Sequence, residues 1–552
     1  MMQPPAVIRV GQARVTAGLD RYARLDLAAH RSVFGAAPQL AAAELIALCE
    51  QVDLRGRGGA AFPVARKLRA VLARKRRPVV VVNGTEGEPG SAKDKTLLAR
   101  SPYLVLDGAL LVARAIRARE VVVAVTGQGP QAQSVADAVA ADRACSGIVR
   151  VVAVPDRFVS GESSALISAV SGGAALPSGT KVRAADSGVH GQPTYLSNAE
   201  TFAQIAVLAM LGPAGYASAG PAHEPGTVLL TVGGSVAQTA VVETPADVPL
   251  GHILDICGAR PAQGVLVGGY HGMWLAPEVA YSVPVSRAGL TAAGGTLGAG
   301  VVLALGEETC PLGEVSRIAG YLASQSSGQC GPCKLGLPAV ARSLAAITAG
   351  AGGVDELEAV RRATARVRGR GACHHPDGTA NFVASALDVF ARDLTEHMFR
   401  GTCGRPAAGV LPLDAGHGET RLTVDWTRCQ GHGLCAHLVP ELIHLDENGF
   451  PAFLDVPVPF WLSKDARQAV DMCPALALRL STATAAAPRQ SPKARPVQPA
   501  PIAALTSGRA PVSDPDEPPT LTGRALRSAE LNAASAWLAE LGSGQRRPGP
   551  WS

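Results

Sequence analysis

The stretch 54–94 constrains this chain more than any other: LRGRGGAAFPVARKL is followed by a basic segment, the apolar run PVVVVN and the acidic loop GTEGEPGSAKD. Small residues at Gly56, Gly58, Gly59 and Ala60 let the backbone approach a ligand with no side chains in the way, as phosphate cradles require. The strand-like run 79–82 ends in Asn83 and then presents Glu86 and Glu88, beyond the carboxyl end of a strand, where open α/β sheets place ligands. A glycine cluster alone reads equally as an ordinary turn. Followed by a strand and an acidic loop, it reads as a nucleotide site.

From 54 to about 211 strand and helix patterns alternate: VVVVN, a helix over 104–118, VVVAV at 121–125, a helix over 131–141, and IVRVVAVP at 148–155. Such alternation implies a parallel sheet covered on both faces. Residues up to about 37 read as an irregular arm leading to a helix over 41–49. Between 226 and 308 the texture changes to short β-rich segments such as TVLLTVGGSV and GVLVGGYHGMWL, with His271 and Trp274 read as packing or surface residues. Residues 310 to about 400 read as helical, with one helix over 383–399. The domains expected are thus 1–53, 54–220, 221–309, 310–400, a linker over 401–420, a small unit over 421–482 and a tail over 483–552. Within the tail, the Pro- and Ala-rich stretch 485–522 has no periodicity and reads as disordered. A short amphipathic helix over 523–542 follows, its stripe formed by Leu526, Leu531, Trp537, Leu538 and Leu541.

The apolar fraction is 47% and the charged fraction 17%, which suits a soluble globular protein. No apolar run approaches the ~18 residues of a membrane helix, and the start MMQPPAVIRVGQARV lacks the ordered blocks of a signal peptide. A cytoplasmic location is expected. A formal charge of +6 over 552 residues does not imply a nucleic-acid partner. The basic cluster Arg66, Lys67, Arg69, Arg74, Lys75, Arg76 and Arg77 reads as a solvated helix face, with Lys67 set apart below. Eleven cysteines in such a chain point to metal or redox chemistry. Cys49, Cys145, Cys257, Cys310 and Cys403 stand isolated and read as buried fillers or bystanders. Cys330, Cys333 and Cys373 form one trio; Cys429, Cys435 and Cys473 form another.

The order RGRGGAAFP, NGTEGEPGSAKD, FVSGESSAL and SNAETFA resembles the FMN- and NADH-binding subunit (51 kDa, F-type) of NADH-quinone oxidoreductase and its diaphorase relatives, from roughly 54 to about 398. The resemblance implies a multidomain α/β chain: a Rossmann-like flavin domain, a β-grasp (SLBB-like) module and a helical iron-sulfur domain. It implies that Gly56, Arg57, Gly58 and Gly59 cradle FMN, that Lys67 and Asn83 contact the flavin phosphate and ring, and that Gly161, Glu162 and Asn198 line the same pocket. A lysine suits phosphate as a point charge. Phe62 matches the aromatic on which the nicotinamide stacks, and Glu86 and Glu88 would accept hydrogen bonds from ribose hydroxyls or the carboxamide of NADH. Phe62 and Glu88 are therefore the expected catalytic residues. The chain departs from the family at five positions: Ala61 stands where the third glycine is expected, Thr85 and Ser163 where acids are, Phe158 where a tyrosine is and Ala70 where a second aromatic is.

In SQSSGQCGPCKLG and CHHPDGTANFV, cysteines three apart plus a distant third are an iron-sulfur signature. The family holds a 4Fe-4S cluster there, and its first cysteine is Ser327 in this chain. Three outcomes stay open: Ser327 ligates as an alkoxide, a 3Fe-4S cluster forms, or the thiols are ordinary buried groups. His374 and His375 are the nitrogen alternatives. Farther on, Cys429-x-x-His432-x-x-Cys435 with Cys473-Pro474 resembles α+β single-cluster bacterial ferredoxins, in particular the small 3Fe-4S type that feeds haem monooxygenases. His432 falls where a 4Fe-4S ferredoxin has its fourth ligand and reads as a weak ligand or an exposed tuning group; His437 and His444 read as surface residues. Zinc is the alternative metal, though this spacing is unlike zinc's. Asp425, Glu441, Asp446, Glu447, Asp455, Asp465 and Asp471 outnumber the bases of this unit and suit docking to a basic acceptor face, or an ordinary solvated surface.

The chain therefore reads as an electron-transfer flavoprotein that passes electrons from NADH through FMN and two iron-sulfur clusters to a soluble acceptor such as a haem monooxygenase, with other oxidoreductase subunits as further partners. The rival reading is a non-catalytic iron-sulfur relay whose NADH site has decayed.

Overall fold

The computed structural model describes residues 5–482 apart from 128, 180–181, 414–419, 441, 453–454 and 459–461. The tail from 483, with its expected disordered stretch and helix, lies outside the described residues.

Four parallel strands form the first sheet, in the spatial order Val149–Val154, Glu120–Thr126, Val79–Gly84, Thr194–Asn198. Val79 to Val82 are all essentially inaccessible, because an unbroken β-branched run suits a strand covered on both faces. The helix Pro102–Ala115 is buried almost all round, and Pro102 sits at its start, where its missing N–H has no intrahelical partner to lose. Chain order reverses beside the strand Val79–Gly84: the next strands in sequence lie on one side and Thr194–Asn198 on the other. That is the switch point at which doubly wound sheets open a crevice beyond their carboxyl ends.

The second sheet is mixed and six-stranded, ordered Ala6–Arg9, Ala240–Pro245, Thr227–Gly234, Val301–Gly306, Ala262–Val267, Met273–Leu275. Its first strand corrects the expectation of an irregular arm, since Ala6 to Arg9 pair in parallel with Ala240 to Glu243. The next turn is fixed by the buried carboxylate of Glu243, which accepts from the backbone amides of Arg14, Val15 and Thr16. A four-residue strand leaves too short a pattern to read from sequence.

Helices Pro311–Gln325, Leu337–Thr348, Val354–Val367, His375–Val389 and Ala391–Arg400 share one core with the second sheet, joining Leu312, Val315, Ile318 and Leu322 to Leu303, Leu305 and Trp274. The single helix expected over 383–399 is broken at Phe390 (φ −102°, ψ 32°), whose buried ring meets Trp274 edge-on at 5.0 Å. The stretch expected as a linker from 401 begins instead as a strap across this domain. The Pro406 carbonyl accepts from the Cys310 amide, Leu411 is fully buried, and the Pro412 carbonyl accepts from the Tyr270 hydroxyl. The small unit beyond it holds an antiparallel three-stranded sheet, Asp455–Pro457, Thr420–Val424, Leu478–Thr482, with helices Leu434–Leu438 and Ser463–Asp471 and its own core around Leu422, Ile443 and Ala466.

Candidate functional site

The glycine turn comes just before the helix Val64–Leu72, and Asn198 ends the strand on the far side of the switch point. Of the turn glycines only Gly59 needs its freedom for backbone reasons, with φ +98°. A Cβ at Gly56 or Gly58 would meet protein atoms no closer than ordinary contact, 3.6 Å from the Phe62 carbonyl and 3.5 Å from Asn198. The space those missing side chains leave is open to a ligand, and Gly58 and Gly59 are exposed. A cavity of about 150 Å³ reaches Gly56, Gly59, Ala61, Lys93 and Glu200. It falls short of the ~300 Å³ at which ligand pockets begin, so a flavin belongs on the open face.

Lys67 lies on the helix that follows the turn. Its Nζ donates to the Leu196 carbonyl at 2.8 Å and lies 6.0 Å from the centre of the exposed Phe62 ring. Burial pulls its pKa down to about 8. Among the described residues it forms no ion pair, so a bound phosphate would supply the missing anion. Across the crevice Asn83 is held twice. Its Nδ2 donates to the Gly161 carbonyl at 2.9 Å, and its Oδ1 accepts from the Thr85 amide and hydroxyl. Thr85, standing for an acid, thus orients Asn83. A Cβ at Gly161 would fall 2.8 Å from the Thr85 hydroxyl, so this glycine serves the close approach of two loops.

The other expected residues divide between support and ligand face. Glu162 caps the helix Ser163–Val170 through the Ser164 and Ala165 amides. Asn198 caps the helix Ala199–Tyr216 through the Thr201 amide, and its Nδ2 donates to Asp94 at 3.1 Å. Arg57 also lines the cavity at the glycine turn; its amide donates to the Thr201 hydroxyl and its guanidinium is buried, donating to the Thr227 carbonyl. Beneath the loop Lys93, almost wholly buried, bridges Asp94 and Glu200 at 2.9 Å each. This polar pillar is part of the site that the sequence did not single out, although Asp94 ends the acidic loop and Glu200 lies in SNAET.

Glu86 is buried and committed, accepting from the Ser91 hydroxyl and the Asp94 and Lys95 amides. Glu88 is different. It accepts from the Tyr270 amide at 2.6 Å, and burial pushes its pKa up to about 8, with Glu86 pushing the same way. Below that value it is a carboxylic acid, able to donate a hydrogen bond from its free oxygen as well as accept one.

Two sulfurs of the first cysteine trio meet, and the third thiol senses them. The sulfurs of Cys330 and Cys333 lie 3.6 Å apart, at the mouth of the π-helical turn Pro332–Gly336, and the Ser327 hydroxyl is 3.8 Å from Cys333. Burial pushes the Cys373 thiol up to about 11, with Cys333, Cys330 and Glu162 adding to the shift. The nitrogen alternatives are corrected: both ring nitrogens of His375 are engaged, by His271 at 2.9 Å and the Leu322 carbonyl at 2.8 Å, and His374 is fully exposed. His271 is a buried link between Phe158, 4.7 Å away ring to ring, and His375.

Cys429, Cys435 and Cys473 line one pocket with Gly433 and Pro474, and the Ala477 amide donates to the Cys473 sulfur at 3.4 Å. His432 is exposed on its rim; His437 and His444 are exposed. Asp446 closes its own turn by accepting from the Asn448 and Phe450 amides through one carboxylate oxygen, and the group stays exposed. Glu441 lies outside the described residues, as does the side chain of Asp455. Cys49, Cys145 and Cys257 are buried with thiols pushed up to about 12, 12 and 11, as expected of apolar fillers. Cys310 and Cys403 do not stand alone: they meet at His397.

A parallel sheet with a glycine cradle at its switch point, a first cysteine trio and a separate three-cysteine unit define an iron-sulfur flavoprotein. Residues 49–207 match the Nuo51 FMN-binding domain, residues 314–397 the NADH-ubiquinone oxidoreductase-F iron-sulfur binding region, and residues 422–480 a 4Fe-4S single cluster domain. The F 2 subunit of NADH-quinone oxidoreductase in Rhizobium meliloti is 29% identical over 379 residues, 65% of this chain and 90% of that protein. The F subunit of the same enzyme in Streptomyces coelicolor is 29% identical over 405 residues, 70% and 89% of the two chains. The NADP-reducing hydrogenase subunit HndC of Solidesulfovibrio fructosivorans is 26% identical over 417 residues, 72% and 83%. The crystal structure of an NAD+-reducing NiFe hydrogenase in the air-oxidized state superposes with a TM-score of 0.64 at 26% identity, covering 72% of this chain and 68% of that one. The chain thus carries an FMN-binding domain and an iron-sulfur binding region similar to those of the F subunits of NADH-quinone oxidoreductase, with a single-cluster domain after them. It is an NADH dehydrogenase-type oxidoreductase that transfers electrons through FMN and iron-sulfur clusters. No single described helix is long and apolar enough to cross a membrane.

Proposed function

We propose that this oxidoreductase delivers electrons from NADH to a soluble one-electron acceptor, such as a haem monooxygenase, by way of its single-cluster domain, and that it also assembles with other oxidoreductase subunits. The observation that carries this reading is the second trio, Cys429, Cys435 and Cys473, on the same chain as the glycine cradle. FMN accepts a hydride and releases electrons singly, which is what couples a dinucleotide to iron-sulfur centres.

The residues of the chain supply the rest. Lys67 would hold the phosphate, and Asn83, fixed by Gly161 and Thr85, would contact the flavin ring. Phe62, exposed at the mouth, offers its ring face to the nicotinamide. Glu88, protonated at neutral pH, donates to a ribose hydroxyl or the carboxamide oxygen and accepts the Tyr270 amide. Cys330, Cys333 and Cys373 would hold the cluster beside Glu162, and Cys429, Cys435 and Cys473 the cluster nearest the acceptor. Covalent fusion gives that last domain an effective concentration at the flavin domain on the order of millimolar.

The reading is tested by NADH-driven reduction of ferricyanide and of cytochrome c by iron-reconstituted protein. Both are reduced by the intact chain, and Cys435→Ser slows the protein acceptor at least tenfold while sparing ferricyanide. Equal cytochrome c rates in the two would remove the single-cluster domain from the path. No NADH-dependent turnover with flavin bound would leave the relay reading.

A further inference from the structure

The geometry points to a second kind of metal site in the helical domain: Cys310, His397 and Cys403 bind a soft divalent cation, zinc foremost, apart from the iron-sulfur ligands. The Cys310 sulfur lies 3.2 Å from His397 Nε2, and the three ligand atoms all fall within 4.8 Å of one another. Ligands around a single tetrahedral zinc sit roughly 3.5 Å apart, given Zn–S near 2.3 Å and Zn–N near 2.0 Å. Two thiolates and an imidazole are donors that zinc takes readily and that magnesium or calcium do not. Cys310 and His397 are each only 3% exposed. Cys403 is half-buried.

Two neighbours partly offset the cost of burying thiolates. Cys310 caps the helix Pro311–Gln325 and accepts from the Gly313 amide at 3.2 Å, which places its sulfur at the positive end of the helix. The Arg405 guanidinium lies beside Cys403, anchored by Asp393. Without a cation, burial and the neighbouring Cys403 still hold the Cys310 thiol up at about 11, so these neighbours alone do not ionise it. Burial holds the His397 ring below its ordinary range, which keeps a lone pair free for a metal.

The site joins the start of one helix, the end of Ala391–Arg400 and the segment that turns away at Gly401 (φ 75°). Beyond Cys403 that segment is strapped down: the Ala408 amide donates to the Thr309 hydroxyl at 2.9 Å, and the Gly409 and Val410 amides donate to Glu314 at 2.6 and 3.0 Å. The cation therefore clamps the root of the segment that leads to the single-cluster domain.

Zinc and iron per chain, measured on the full-length protein by plasma mass spectrometry, test this. The expected result is about one zinc per chain, retained in Cys330→Ser and lost, or held at least tenfold more weakly, in Cys403→Ser and His397→Gln. A chelator that strips zinc from the native protein but leaves its iron should also open Cys403 to alkylation by iodoacetamide, a readout that needs no variant to fold. Zinc content unmoved by Cys403→Ser and His397→Gln would overturn the assignment. So would native protein that carries no zinc, whether the two thiols are free or joined as a disulfide in peptide mapping.

Discussion

The Lys67 ammonium and the Leu196 carbonyl are joined by a 2.8 Å hydrogen bond that crosses from the helix after the glycine turn to the strand on the far side of the switch point. It holds at the crevice a cation that has no counter-ion among the described residues, and the first prediction follows from it. Lys67 has its pKa lowered from 10.5 to about 8 by burial, and a bound phosphate restores the charge. FMN binding should therefore take up a proton between those two values, and affinity should fall as pH rises above about 8. Lys67→Gln should weaken FMN by about 10- to 100-fold, the worth of a charged hydrogen bond, and remove the pH dependence. Fluorescence titration of apoprotein at pH 7 and 9.5 checks both.

Glu88 makes stability itself depend on pH. Its pKa is raised from 4.5 to about 8, so the folded flavin-free protein holds a proton that the unfolded chain has lost. Stability is fully present below 4.5 and declines as pH rises through 8. Glu88→Gln should flatten that decline, giving a higher urea midpoint than wild type at pH 9 and a raised KM for NADH. An unchanged slope would place the titration elsewhere.

Ala61 occupies a left-handed conformation (φ 47°) that costs an L-residue about 1 kcal/mol. Ala61→Gly relieves it, partly offset by the greater freedom of glycine in the unfolded chain. The expected outcome is a stabilisation below about 1 kcal/mol, read from chemical denaturation of apoprotein. A loss of stability would mean that the alanine methyl group has packing of its own.

Ser327 lies with its hydroxyl 3.8 Å from the Cys333 sulfur, where a fourth thiolate completes the set. Ser327→Cys should raise iron content or convert the electron paramagnetic resonance signal to that of a four-thiolate 4Fe-4S centre. Identical iron content and spectrum in the two proteins would mean that the native serine already serves as a full ligand.

Much of this arrangement is legible in the chain. The run Val79 to Val82 and its helical partners announce a buried parallel sheet, and residue order alone brings the glycine turn, Asn83 and Asn198 to one switch point. Local pattern does not carry information about depth. Glu86 and Glu88 are equivalent in the sequence, yet one closes its own loop while the other is made a neutral acid by burial against Tyr270. Nor does spacing foretell the meeting of Cys310 and His397, which lie 87 positions apart. The break at Phe390 and the strand Ala6–Arg9 were hidden for the same reason, since both are set by distant partners, Trp274 and Ala240 to Glu243.

The central claim, that a dinucleotide reduces a flavin held at the glycine turn and cysteine-bound iron receives its electrons, is met most directly by one anaerobic spectrum. NADH added to reconstituted protein should bleach the visible flavin band and then the broad iron-sulfur absorbance, and Phe62→Ala with Glu88→Gln should slow the first phase without altering flavin content. A flavin band that stays unbleached at saturating NADH and NADPH would contradict the account.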